Sequence, residues 1–123
     1  MQINKDTISI DGVEYVRKDS VPEKAESLNN MPYVIVRTYR AGVFAGYLKS
    51  RNGQEGVVVN ARRIWFWDGA ATLSQLAMEG TQKPDCCKFP CEVDSVTLTQ
   101  IIEILDVREK ARKSIQGVKI WKQ

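Results

Sequence analysis

The chain has 123 residues, of which 43% are hydrophobic and 27% are charged, and its formal net charge is +3. This composition is typical of one compact globular domain and excludes a low-complexity or disordered protein. No apolar run approaches the roughly 18–20 residues that span a bilayer, so we expect no membrane helix. The charge is also small for a dedicated nucleic-acid-binding protein.

The sequence contains no histidine. Histidine is the commonest general base, the commonest zinc ligand and the usual partner of a nucleophilic serine or cysteine. We therefore expect no catalytic residues, no cofactor and no metal site. The cysteines Cys86, Cys87 and Cys91 have a spacing unlike that of standard zinc sites, which favours reduced, half-buried thiols. Residues 1–12 lack the apolar core of a secretory signal, so we expect a cytoplasmic protein.

The N-terminal quarter of the sequence predicts an arm followed by a connecting segment. Residues 7–17 alternate apolar and polar side chains around Asp11-Gly12, which is a favoured hairpin turn. Residues 18–31 are polar and contain Pro22, which indicates a linker with one helical turn from Pro22 to Leu28. The predicted division is an N-terminal hairpin and linker over residues 1–31 and an α+β domain over residues 32–123.

Three strands are predicted next, over residues 32–40, 43–49 and 55–67. The second and third are joined by a turn at Asn52-Gly53. Gly46 lies in the middle of a strand, which marks the close approach of a ligand or of another backbone. A bulge near Asn60 or Ala61 would change which of the following side chains share a face.

The second half of the chain is predicted to add helices and further strands. Asp68 is a candidate N-cap for a helix over residues 70–79 that ends at Gly80. The β-branched residues of 93–105 favour a strand. The last two predicted elements are a helix over residues 108–116 and a strand over residues 118–121. The fold class is therefore α+β, with a small, mostly antiparallel sheet and one or two short helices, preceded by the N-terminal β-hairpin arm.

Positive charge and aromatic rings coincide on the predicted strands. Residues 32–67 contain six basic residues against the single acidic Glu55. Guanidinium groups match phosphate oxygens, aromatic rings stack on bases, and glycine lets a ligand approach the backbone. The pattern predicts a site for a small anionic, nucleotide-like ligand, formed by Arg37, Tyr39, Gly42, Arg62, Arg63, Trp65 and Trp67. The alternative is that the tryptophans are core residues and the arginines are surface groups or ion-pair partners.

Several short segments resemble an uncharacterised family of small proteins encoded by phages, prophages and mobile elements. They are residues 36–39 (VRTY), 41–46 (AGVFAG), 60–63 (NARR), 65–67 (WFW), 69–71 (GAA), 73–77 (LSQLA) and 88–90 (KFP). The resemblance extends over residues 32–122, and Arg40 stands where the pattern has serine. It implies a viral gene product that acts in the bacterial cytoplasm, and it implies no activity.

Four functions remain open at this stage. The first is a homo-oligomeric binding protein that sequesters a nucleotide-derived immune signal of the host, with the ligand enclosed between subunits. The second is a single-stranded nucleic-acid-binding protein that uses the same residues. The third is a protein–protein interaction module anchored by Trp65, Trp67 and Trp121. The fourth, a metal-dependent nuclease using Asp68, Glu92 and Asp94, has no recognisable motif.

Overall fold

The computed structural model describes residues 23–123 and, among the first 22 residues, the backbone of 2–3, 7–10 and 13–16. These short N-terminal segments are strands β1 (Gln2–Ile3), β2 (Thr7–Ile10) and β3 (Val13–Val16), which form an antiparallel sheet in that order. Ile10 lies opposite Val13, so the hairpin predicted in this region is present. Pro22, where a helical turn was predicted to begin, lies outside the described residues.

The α+β domain predicted from the sequence is confirmed. Its five antiparallel strands and two helices are β4 (Tyr33–Thr38), β5 (Val43–Asn52), β6 (Glu55–Arg63), α1 (Leu73–Glu79), β7 (Glu92–Leu98), β8 (Ile101–Asp106) and α2 (Glu109–Gly117). The strand order in the sheet is β7-β6-β5-β4-β8. Neither of these helices has the length and apolarity needed to cross a membrane.

The sheet is strongly curled. Strands β7 and β8 lie at opposite edges of the sheet, with three strands between them. Only Thr99 and Gln100 separate the two strands in the chain, and so short a link cannot cross the width of a flat sheet. The tip of the β5–β6 hairpin reaches the start of β8, where the Ile101 amide donates to the Gln54 carbonyl over 2.9 Å. The two edges are therefore brought close together.

Curling gives the sheet two buried faces. The inner face carries a cluster made only of strand residues, namely Val34, Val36, Phe44, Val58, Ala61, Leu98 and Ile101. The outer face carries Tyr33, Ile35, Ala45 and Tyr47, and it is covered by residues such as Leu76 of α1 and Ile115 of α2. Alternation along β4 accounts for this division, because successive side chains of a strand point to opposite faces.

A bulge in β6 lies at the position where the sequence predicts one. Asn60 has φ 50°, and the pairing of β5 with β6 shifts register between Ala45 and Tyr47. Val58 and Ala61 consequently share the inner cluster, although they are separated by an odd number of positions. Gly46 is packed against this bulge, since a Cβ there would lie 2.7 Å from Val58 Cγ1 and 2.9 Å from the Val59 carbonyl oxygen. The close approach predicted for Gly46 is therefore that of another strand.

Several element boundaries differ from the prediction. Strand β6 ends at Arg63, and residues 64–67 continue without regular pairing apart from a bridge between Phe66 and Lys88. Residues 93–105 were predicted as one strand, but they contain most of β7, a turn and most of β8. Residues 118–121 make only an isolated bridge, from Ile120 to Phe89, and residues 23–28 contain no helical turn.

The first helix begins later than predicted, at Leu73. Its N-cap is Thr72, whose hydroxyl accepts from the Gln75 amide over 3.1 Å. The carboxylate of Asp68, the predicted cap, instead accepts from the adjacent amide of Gly69. The predicted end at Gly80 is correct, since Gly80 has φ 79° and its amide donates to the Leu76 carbonyl.

Glu109 fastens residues 23–26 to the first turn of α2. Its carboxylate accepts from the Arg112 guanidinium and, over 2.9 Å, from the Glu26 amide. The hydrogen bond from Arg112 is the main reason that the pKa of Glu109 falls to about 2. Ala25 completes the attachment, because its amide donates to the Val107 carbonyl over 2.7 Å and its side chain is buried.

We predict that Gly46→Ala destabilises the fold by about 1–3 kcal/mol, because the added methyl group forces strand β6 to shift. Thermal or urea unfolding measures this change. The control is Ser50→Ala, at an exposed position of the same strand. For this control we expect a change of at most about 0.5 kcal/mol. An unfolding midpoint of Gly46→Ala equal to that of the wild type contradicts the tight packing at the bulge.

We predict that Glu109 stabilises the protein above pH 4 and that this contribution disappears as the pH falls towards 2. The folded-state pKa of about 2 lies below the ordinary value for glutamate, so protonation favours the unfolded chain within that window. Urea unfolding at pH 7 and pH 3 should show a smaller loss of stability for Glu109→Gln than for the wild type. The exposed Glu55→Gln serves as the control, and equal losses in all three proteins contradict the prediction.

Candidate functional site

A surface groove of about 320 Å³ lies between the β4–β5 loop and the segment that follows β6. Its lining residues are Arg40, Ala41, Gly42, Val43, Arg63, Ile64, Trp65 and Trp67. Four of the seven predicted site residues are therefore brought together, namely Gly42, Arg63, Trp65 and Trp67.

Backbone hydrogen bonds hold the two walls of the groove. The amide and the hydroxyl of Thr38 both donate to the Gly42 carbonyl, over 3.0 and 2.8 Å. The Ile64 amide donates to the Val43 carbonyl over 2.8 Å, which aligns the second wall with the first. Gly42 has φ 95°, a conformation that favours glycine, and a Cβ there would lie 3.4 Å from an Arg63 terminal nitrogen. The loop is thus shaped to leave space beside the guanidinium group.

Arg63 presents a partly fixed guanidinium group to the groove. Its Cζ lies 4.4 Å from the centre of the Phe44 ring, and Nη1 donates to the Ala41 carbonyl. Because arginine has five N–H donors, this arrangement leaves donors for a ligand. Arg40 is exposed, and its Cζ lies 5.5 Å from the centre of the Tyr39 ring. The two arginines lie on opposite walls.

The two indoles differ in anchoring and exposure. Trp67 is half-buried against the helix-side core, and its Nε1 donates to the Ala70 carbonyl over 3.2 Å, which fixes the ring. Trp65 is 63% exposed. An exposed indole next to cations is suited to stacking on a planar group, and the fixed ring forms a rigid floor.

The electrostatics of the groove favour an anion. In the part of the chain that the structure describes, neither Arg40 nor Arg63 pairs with a carboxylate, and the groove lining is free of acidic residues. Three other surface grooves each include at least one acidic residue, such as Glu109, Asp85 or Glu103. Two uncompensated guanidinium groups beside backbone and indoles fit a phosphate-bearing planar ligand.

Arg62 is a structural residue, which corrects its assignment as a ligand-binding residue. It is only 4% exposed. Nε donates to the Pro90 carbonyl over 2.9 Å, Nη1 to that of Ile115 over 2.8 Å, and Nη2 to that of Phe89 over 3.0 Å. Burial lowers the pKa of Arg62. The guanidinium thus joins β6 to α2 and to the loop that precedes β7.

Arg37 and Tyr39 lie outside the groove lining. Arg37 Nε is 3.2 Å from a carboxylate oxygen of Glu103 on the neighbouring strand, so its charge is paired. Tyr39 is exposed, and the Arg40 guanidinium lies over its ring. Sequence reasoning did not select Arg40 as a site residue, although its charge directly before the Ala41-Gly42 turn was the available signal.

We predict that Arg62→Lys and Arg62→Met each destabilise the fold by about 2–4 kcal/mol, because buried carbonyls lose their donors. A lysine has donors but cannot reach three separate carbonyls with a planar fork. Urea unfolding measures the effect, with the exposed Arg51→Lys as the control. Wild-type stability in Arg62→Lys contradicts the structural role.

Comparison with known proteins identifies one family. No curated protein and no solved structure matches the chain. One family model does match, over residues 31–115, and it is described as a domain of unknown function, DUF6948. This match begins directly before strand β4 and ends within α2. Because it includes more than half of the sequence, the chain belongs to the DUF6948 family.

Proposed function

We propose that this protein is a non-catalytic binding protein whose groove holds a small anionic, nucleotide-like ligand. One observation carries the proposal: Arg40, Arg63 and the exposed ring of Trp65 line the same groove. Among the described residues, neither arginine has a carboxylate partner. In this arrangement the guanidinium groups bind phosphate oxygens and the indole stacks on the base. Gly42 lets the phosphate approach the loop backbone.

We further propose that binding serves sequestration. The resemblance to phage and prophage proteins supports a ligand that is a nucleotide-derived immune signal of a bacterial host, bound in the cytoplasm. A sponge of this kind requires charge and stacking but no general base, which is consistent with a chain that has no histidine.

The open side of the groove is an argument for a homo-oligomer. The groove has a volume of about 320 Å³. Small-molecule sites of this size or larger usually enclose most of the ligand. Trp65 is 63% exposed, so a ligand stacked on it remains exposed to water in a single chain. A second copy placed over this ring would enclose the ligand and slow its release.

Calorimetry with nucleoside monophosphates, cyclic dinucleotides and cyclic ADP-ribose isomers tests the proposal. We expect binding of at least one of these ligands, and recovery of that ligand intact after the protein is heated. Arg40→Ala should weaken binding about tenfold or more, because it removes a charge-assisted contact of about 1.5–3 kcal/mol. Trp65→Ala should weaken it by about 5–150-fold, which corresponds to about 1–3 kcal/mol of stacking.

Arg51→Ala is the matched control, because Arg51 is exposed, lies outside the groove and contributes the same charge. Its affinity for the ligand should equal that of the wild type. Absence of binding by every member of the panel, or recovery of cleaved ligand, contradicts the proposal.

A further inference from the structure

A second group of aromatic and basic side chains lies next to the groove, and the proposed function does not use it. The Lys88 ammonium lies 5.8 Å from the centre of the Phe66 ring and 5.7 Å from that of Trp121. Phe66 is 48% exposed and Trp121 is 43% exposed. We call Phe66, Lys88 and Trp121 the Lys88 cluster.

Backbone pairing aligns this cluster with the groove in consecutive rows. The Ile64 amide donates to the Val43 carbonyl, Phe66 forms a bridge with Lys88, and Phe89 forms a bridge with Ile120. The Trp121 amide also donates to the Phe89 carbonyl over 3.0 Å. Neighbouring extended segments are about 4.8 Å apart, so the rows from the β4–β5 loop to the C-terminal segment extend over roughly 15 Å.

The Lys88 cluster has the same two chemical components as the groove. Lys119 and Lys122 flank Trp121 and line a neighbouring groove of about 400 Å³ together with Asp85. Lys88 therefore lies beside both exposed rings, and two further lysines line the adjoining groove with Trp121, against one carboxylate in that lining. Lysine binds phosphate as a point charge, and exposed rings stack on bases of any sequence.

The groove and the cluster meet at consecutive residues, because Trp65 lines the groove and Phe66 belongs to the cluster. We propose that together they form one extended site for a linear oligonucleotide of two or more units. This inference rests on the proposed function, since the first nucleotide unit occupies the groove at Arg40 and Arg63. Further units then stack at the Lys88 cluster, with their phosphates beside Lys88, Lys119 and Lys122.

Longer oligonucleotides should bind more tightly because their later units bind intramolecularly. Once the first nucleotide is bound, the next unit is held near the Lys88 cluster at a high effective concentration. Affinity therefore increases with the number of units until the cluster is filled, and then levels off. A single nucleotide, in contrast, binds at the groove alone and does not respond to changes at Trp121.

The test is a length series of 5′-phosphorylated oligothymidylates of one, two, four and six units, titrated into the millimolar range and followed by tryptophan fluorescence. We expect affinity to increase about tenfold or more between one and four units. Lys88→Ala and Trp121→Ala should remove most of this increase and leave the affinity for thymidine monophosphate within about twofold of wild type. Arg40→Ala should weaken binding at every length.

Two variants serve as controls. Lys49→Ala removes an exposed charge from strand β5, and Ile102→Ala truncates an exposed apolar side chain on strand β8. Both should retain the full dependence on length. Light scattering on each variant separates loss of ligand contacts from loss of an oligomer.

The outcomes distinguish this inference from the proposed function. If the monophosphate binds and affinity does not depend on length, the extended site is wrong and the proposed function stands. The extended site is also overturned if Trp121→Ala dissociates an oligomer while the length dependence persists, since the cluster is then a protein interface. If no oligothymidylate binds but a member of the calorimetry panel does, the extended site is overturned and the proposed function stands. If neither the oligothymidylates nor any member of that panel binds, both fail.

Discussion

The bulge at Asn60 is the constraint on which the rest of the molecule depends. Successive residues of a strand point to opposite faces, and by placing Val58 and Ala61 on the same face the bulge decides which of the two following arginines points to which side. Arg62 points to the helices and binds three backbone carbonyls, whereas Arg63 packs on Phe44 and faces the groove. The left-handed residue Asn60 therefore sets which arginine is structural and which remains open to a ligand.

The two arginines also illustrate why burial decides the role of a charge. A guanidinium that is surrounded by carbonyls and removed from water has no capacity left for a ligand, and its loss leaves those carbonyls without donors. Arg63 has the groove on one side and an aromatic ring on the other, so its remaining donors stay available. Adjacent, identical side chains thus differ in role because their surroundings differ.

Much of the fold follows from local patterns. Alternation divides β4 correctly between the two cores, and the β-branched residues of 93–105 indicate β-structure but not the turn that divides it into two strands. The start of α1 is less predictable, because Asp68 and Thr72 are both good N-caps. The Asp68 carboxylate accepts from the Gly69 amide and its backbone carbonyl accepts from the Thr81 hydroxyl, whereas the Thr72 hydroxyl accepts from the Gln75 amide and caps the helix.

The composition of the site was more predictable than its geometry. Local charge and aromatic content identify Gly42, Arg63, Trp65 and Trp67, all of which line the groove. The structural role of Arg62 depends on three carbonyls that are distant in sequence, so no local pattern predicts it. The pairing of Arg37 with Glu103 is similarly non-local, because the strands β4 and β8 that carry them come from distant parts of the chain.

The pairing of β8 with β4 has a consequence for how the chain reaches this structure. Val34 pairs with Asp106, near the other end of the domain, whereas β5 and β6 pair across a turn of two residues. Loop-closure entropy favours the local hairpin as the earlier event, and β8 then docks at the far edge. We expect a high relative contact order and folding on the millisecond-to-second scale, with the docking of the last strand as the slow step.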